Sequence, residues 1–126
     1  MSAGTVSGLR LIVEIKGKTK LNCELKRHLS PKTVGVISRS LPLEGNAHFL
    51  GQSIIYFETA INSGVERQRK EFKKGDIAFS PVGGGICFFI SDATTSKPMT
   101  PIGRLLDDVL KDVKPGDIIS MYQATG

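Results

Sequence analysis

Few residues in this chain combine the type and the spacing that chemistry needs. Gly83-Gly84-Gly85 invites comparison with a phosphate-cradling loop. No Lys-Ser/Thr pair follows it, and the next residues, Ile86 to Ile90, are strand formers, so no helix N-terminus stands ready to receive an anion. A tight reversal between strands is the simpler use of the three glycines. Asp107, Asp108 and Asp112 are candidates for paired carboxylates, but on a helix the first two point to different sides, and all three have surface-type neighbours. They suit a solvated face better than an acid–base pair. His28 lies beside Lys26 and Arg27 and is expected at the surface, whereas His48 precedes Phe49 in a strand-like segment with no nucleophile near it in sequence. No Ser or Cys occupies a nucleophile-elbow context.

Cys23 and Cys87 each sit in an apolar, strand-like segment without a CxxC spacing. The expectation is two buried free thiols behaving as small hydrophobes. A Cys/His metal site with His28 and His48 would require four scattered residues to converge without a ligand spacing, and a disulfide would be unusual in a mesophilic cytosol. No catalytic residue, no metal and no cofactor is therefore expected.

Charge is uneven. The net charge is +5, and the excess is N-terminal: residues 1–40 hold eight Lys/Arg against Glu14 and Glu24. Lys16, Lys18 and Lys20 alternate around a turn, and Lys26, Arg27, Lys32 and Arg39 follow, a face that could attract phosphate. No stacking aromatics accompany these lysines, so a solvated hairpin tip and helix face is the preferred reading, and nucleic acid is an unlikely partner.

The elements that would position these residues follow from size and pattern. A chain of 126 residues is one domain, 1–126, that can bury roughly two-thirds of its unfolded surface and needs no staple, with 1–7 expected to be a flexible tail. Gly 14 and Pro 6 point to many turns and so to strands. The longest apolar run, Ile86 to Ile90, is too short to span a bilayer, and no basic-then-apolar leader opens the chain, so the expected location is cytoplasmic without membrane contact.

Leu9, Leu11, Val13 and Ile15 alternate as a first strand, Gly17-Lys18 turns, and Leu21, Cys23 and Leu25 share one face of a second. Ser30 as cap, Pro31 at the first position, and Val34, Ile37 and Leu41 at helical spacing predict a helix of about ten residues ending at Pro42. Strands are expected from Ala47 to Leu50 and Ser53 to Thr59 around Gly51-Gln52, and from Ile77 to Ser80 and Ile86 to Ser91 around the glycine run. Val65 to Phe72 looks like an exposed arm, and Asp92 to Pro101 a polar surface loop. From Ile102 to Val113 the apolar stripe fits a helix, and Lys114-Pro115-Gly116-Asp117 is a turn into a closing strand, Ile118 to Tyr122.

The order of these pieces carries a resemblance. Leu41 to Glu58, then Lys74-Gly75-Asp76-Ile77-Ala78-Phe79-Ser80-Pro81, then Ile86-Cys87-Phe88-Phe89-Ile90, and last Pro101-Ile102-Gly103-Arg104-Leu105-Leu106 resemble the small prokaryotic cyclophilin-like proteins of uncharacterised function. The resemblance covers nearly the whole chain. It implies a mainly β fold, a closed antiparallel cyclophilin-like β-barrel with one or two short helices. It also implies that 102–106 is a strand, with Asp107 as cap and only Asp108 to Val113 helical.

True cyclophilins speed rotation about X-Pro bonds, whose barrier of roughly 20 kcal/mol comes from amide resonance, with an arginine that donates to the prolyl nitrogen. The Phe-x-Arg-x-Ile motif that supplies this arginine is absent here, as are the Gln-Gly-Gly-Asp stretch and any tryptophan. Neither Arg39 nor Arg104 matches it. The expectation is therefore a non-catalytic module that binds a small apolar ligand or a peptide on the barrel surface, with Phe49, Gln52, Tyr56, Phe79 and Phe88 as candidate contacts. Peptidyl-prolyl isomerisation is the alternative, weak nucleic-acid binding a second one, and a homo-oligomer is possible through the exposed arm.

Overall fold

The structure, a computed structural model, describes residues 8–124; the expected tail at 1–7 lies outside the described residues. It comprises ten strands and one helix: β1 (Gly8–Ile15), β2 (Thr19–Lys26), α1 (Pro31–Ser40), β3 (Leu43–Asn46), β4 (His48–Leu50), β5 (Ile54–Glu58), β6 (Arg69–Phe72), β7 (Asp76–Ser80), β8 (Gly85–Phe89), β9 (Ala93–Leu105) and β10 (Ile118–Gln123). All pairings are antiparallel, in the order β3-β10-β1-β2-β9-β7-β8-β5-β4, with β6 added on β9.

The first hairpin shows why the ring forms. Period-two alternation directs Leu11, Val13 and Ile15 of β1 and Cys23 and Leu25 of β2 inward, all fully buried. Gly17 makes the turn with a positive φ of 77° that a side chain would disfavour. Opposite them, β5, β7 and β8 contribute Ile55, Phe57, Ile77, Phe79, Ile86 and Phe88 to the same interior.

The fold is mainly β and antiparallel as expected, but the sheet is not closed, so the expected closed barrel is met only in part. β3 and β4, at the two ends of the strand order, do not pair with each other; they are the two halves of one extended segment, joined at Ala47. Its first half pairs β10 and its second half pairs β5, so chain continuity, not a ladder, completes the circuit. At this seam Gly45 lies against Phe57 and the Glu58 carbonyl, where an added Cβ would stand 3.0 Å from the Phe57 ring.

α1 occupies its expected span and covers one end of the barrel with Thr33, Val34 and Ile37. Ser30 is not its side-chain cap. Its hydroxyl instead donates to the Pro101 carbonyl at 2.7 Å, within the core. The open amides of the first turn go to Glu66, whose carboxylate accepts from Thr33 N at 2.8 Å, Lys32 N at 3.1 Å and Thr33 Oγ1 at 3.0 Å.

Two segments differ from expectation. Of residues 92–101, expected as a loop, 93–101 belong to β9 and include its whole first half. Their polar character has a cause: this half pairs only with β6, a partner too far away in sequence for local pattern to announce. The expected helix over Asp108 to Val113 is absent. Leu106 N donates to Asn22 O at 2.9 Å, and Asp107, rather than capping a helix, accepts from Asn22 N and Nδ2 at 2.7 and 3.0 Å. Asp112 has a φ of 58°, and the irregular chain between buries Val109 and Leu110 over the end of the barrel opposite α1.

β9 cannot be straight. It meets β6 at Ala93↔Phe72 and β7 at Arg104↔Asp76, positions that would be roughly 36 Å apart on a straight strand. The chain from Phe72 to Asp76 reaches about 14 Å at most. The strand therefore bends back, with a register shift opposite Ile77 and Ala78, next to Pro101. Its second half completes the barrel, and its first half, with β6, lies over the outer face of β5, β7 and β8. A second apolar cluster fills the space between: Ile54, Phe72, Ala78, Cys87, Phe89 and Met99. Asp76 pins the bend, accepting from Arg104 Nη1 at 2.8 Å, Arg69 Nη2 at 3.4 Å and Lys73 N at 2.8 Å.

Two predictions arise from these contacts. Gly103 lies directly on the Glu24 carbonyl, and an added Cβ would stand 2.9 Å from the Leu25 Cα, with backbone on both counts. Gly103→Ala is expected to lower stability by about 3 kcal/mol, measured by denaturant unfolding. At Glu66, burial pulls the carboxyl pKa upward, but the Thr33 and Lys32 amides, the Thr33 hydroxyl and the Lys32 charge outweigh it and hold the pKa below the ordinary glutamate value. A depressed folded-state pKa stabilises above the unfolded value, and that contribution is lost as pH falls through the folded value. The stability difference between the wild type and Glu66→Ala should be largest at neutral pH and shrink below about pH 4.5. A difference that holds constant into acid would show that the carboxylate does not cap the helix.

Candidate functional site

The site is a surface groove outside the barrel, beneath the bent half of β9. Two adjoining hollows of about 570 and 160 Å³ share Leu50, Ser80, Val82 and Met99. Ile54, Tyr56, Cys87 and Met99 form the floor, which is the solvent-side margin of the outer apolar cluster. Leu50 and Val82 stand at the rim, 51% and 77% exposed, each next to a glycine turn with a positive φ, Gly51 on one side and Gly83-Gly84 on the other. Opposite them the wall is polar, from Thr94 to Lys97 with Gln52 and Ser53; Lys97 is the one cation of the larger hollow, and Glu58 the one anion of the smaller.

The candidate contacts divide by strand face. Tyr56 and Gln52 line the groove, and the Tyr56 ring stacks on His48 with centroids 5.3 Å apart. Phe49 is 39% exposed but outside the groove, because it pairs Ile55 across the strands and so lies on the inward-facing side. Phe79 and Phe88 are fully enclosed in the barrel, and Phe88 stacks on Phe57 with centroids 6.3 Å apart. These two are corrected from surface contacts to core residues: β7 and β8 are apolar on both faces, so their alternation does not show which face is inner. Sequence reasoning missed Leu50, Val82, Cys87 and Met99. Leu50 and Val82 were visible as large apolar residues beside turns.

Ionisable groups around the groove are committed elsewhere. Arg104 is held by Asp76, Arg39 projects from α1, and no arginine lines either hollow. A wider, open cleft of about 860 Å³ lies beside β6, lined by Arg69, Lys70 and Lys73 together with Glu71, Asp76 and Asp92, and Arg69 is paired with Asp76 at 3.4 Å. Arg69 is used further, over the Phe72 ring at 4.9 Å. Lys18, from the basic hairpin tip, is bonded to Asp117 at 2.7 Å and to the Asp112 carbonyl. Among the described residues no group of three or more His, Cys, Asp or Glu could hold a metal ion, and no helix is long and apolar enough to cross a membrane.

The profile of the cyclophilin-like family matches residues 8–121. The chain belongs to the cyclophilin-like family. No curated protein matches it. Among solved structures, this cyclophilin-like chain is similar to the solution structure of the hypothetical protein AF2241 from Archaeoglobus fulgidus, at 25% identity and a TM-score of 0.79 over 94% of this chain and 96% of that one. It is also similar in fold to McbB, solved in complex with tryptophan, at 12% identity and a TM-score of 0.75. There the match covers 92% of this chain and 45% of McbB.

Both cysteines of the cyclophilin-like domain are free and buried, and desolvation pushes each thiol up to about 12, with Arg10 opposing it slightly at Cys23. The thiolate is the reactive form. A chromogenic disulfide reagent at about pH 8 is expected to leave the folded protein unlabelled and to titrate both thiols after unfolding. Rapid labelling of native Cys87 would mean that the groove floor opens.

Proposed function

We propose that this cyclophilin-like protein is a non-catalytic binding module whose groove takes a small, largely apolar ligand or a short peptide segment. One observation carries the reading: an apolar floor sits at the bottom of a concave site of about 570 Å³, inside the range of ordinary small-molecule pockets, and is flanked by hydroxyls and one lysine that can fix orientation. McbB, with the same fold, was solved with tryptophan, an apolar ring bearing a charged head, and a ligand of that kind suits an apolar floor beside Lys97. Two free, buried thiols fit a reducing compartment, and we place the protein in the cytoplasm.

An isomerase would need a donor aimed at the prolyl nitrogen, and no guanidinium reaches the groove. A proline-peptide isomerisation assay is expected to give the uncatalysed rate, and acceleration that disappears on replacing an arginine would replace binding with catalysis. Titration of the ¹⁵N-labelled protein with tryptophan, indole and short apolar peptides is expected to shift resonances of Leu50 to Tyr56, Cys87 and Ala93 to Met99. Val82→Lys should weaken that binding about tenfold or more by placing a charge at the apolar rim. Perturbations confined to β6 or the first hairpin, or none at millimolar ligand, would overturn the reading.

A further inference from the structure

In the segment that links the two ends of the strand order, the outer edge of β4 is open. β10 pairs this segment through Leu43 to Asn46 and then stops, while β5 takes over on the opposite side from His48 to Leu50. Ala47 still directs both backbone groups at the turn before β10, its N–H to Asp117 O at 2.7 Å and its carbonyl to Gly116 N at 3.0 Å. Strand alternation then aims the N–H and C=O of Phe49 in the same direction, where no described residue meets them.

This edge is unlike that of β6, which is also paired on one side only. β6 carries Arg69, Lys70 and Glu71, charges that discourage edge-to-edge association. β4 is His48-Phe49-Leu50, all exposed, with no Lys, Arg, Asp or Glu. The charge distribution agrees. The chain carries +5 overall, yet residues 40–65 contain no Lys or Arg, only Glu44 and Glu58. Two copies of a basic protein repel least through such a face.

The geometry points to a second copy of this chain as the occupant, its β4 laid antiparallel on the first about a two-fold axis at Phe49. Phe49 then exchanges both backbone hydrogen bonds with its counterpart, the two Phe49 rings become direct cross-strand neighbours, and His48 faces Leu50 of the other copy. A longer incoming strand would run into Gly116, which already occupies the edge at Ala47. β4 itself fits, because the residue it would bring opposite Ala47 is Gly51, where the chain turns away with a φ of 61°. The contact is short, so the dimer is weak and depends on concentration. It is centred on the edge of Phe49 and meets the ligand groove only at the Leu50 rim, so it does not rest on the binding proposal.

Sedimentation velocity from micromolar to near-millimolar protein tests it. The wild type is expected to shift from monomer toward dimer, more readily at higher salt because the repelling net charges are screened. Phe49→Pro removes the outward N–H, a change tolerated at a strand edge, and Phe49→Asp adds a charge; each should remain monomeric across the range while a circular-dichroism melt confirms folding. Lys70→Arg, a charge-conserving change on β6, should dimerise like the wild type. A wild type that stays monomeric at the highest concentration, or folded Phe49 variants that dimerise unchanged, would overturn the proposal.

Discussion

The bend in β9 is the constraint on which the rest of the architecture depends. One strand of thirteen residues serves two layers, closing the barrel with its second half and roofing the outer face with its first. A straight strand would leave Ile54, Cys87 and Phe89 facing water, an exposed patch that a small soluble domain does not carry without a partner. Bending is made possible by Pro101 beside the register shift, by Gly103 packed on the β2 backbone, and by Asp76, which holds an arginine from each side of the turn. The groove is a by-product of this roof: β6 protects one edge of the bent half and leaves the other looking onto the β4–β5 turn.

The same arrangement explains why polar residues offer little chemistry. Asp76 is almost completely covered and answers to two guanidiniums and an amide; Glu66 is spent on a helix N-terminus; Asp107 holds Asn22, and Asp117 holds Lys18 and its own turn. Each is in a structural bond that a reacting group could take over only by undoing a junction of the fold. What remains free at the groove is apolar surface, a few hydroxyls and the single charges Lys97 and Glu58.

How far this was legible in the sequence depends on whether a segment's partner is near it in the chain. The first hairpin, with Gly17 at its turn, and α1, bracketed by Pro31 and Pro42, were readable because turn and terminator lie beside the elements they define. The apolar runs of β7 and β8 announced themselves as strands, but their parity was hidden: with both faces buried, nothing local says that Phe88 points into the barrel and Phe89 out of it, toward Phe72. The first half of β9 was illegible for the opposite reason. Thr94, Thr95, Ser96 and Lys97 look like loop residues, and only the distant β6 makes them a strand. The stripe of Val109, Leu110 and Val113 signalled burial correctly but not helix, since a plug anchored at Asn22 can bury the same residues without one.

The two solved structures of similar fold bear on the site through their low identity to this chain. McbB has this fold at 12% identity, so the fold dictates few side chains; in this chain its demands are inward apolar alternation, a few glycines where backbones touch, and the return of one strand over its own barrel. Those demands fall on Leu11, Val13, Phe57 and Phe88, on Gly45 and Gly103, and none falls on the groove rim. Leu50 and Val82 are exposed, lie beside turns and support no neighbouring element, so stability alone gives no reason for large apolar side chains there. Their presence on either side of one hollow is the feature on which the proposed binding reading draws.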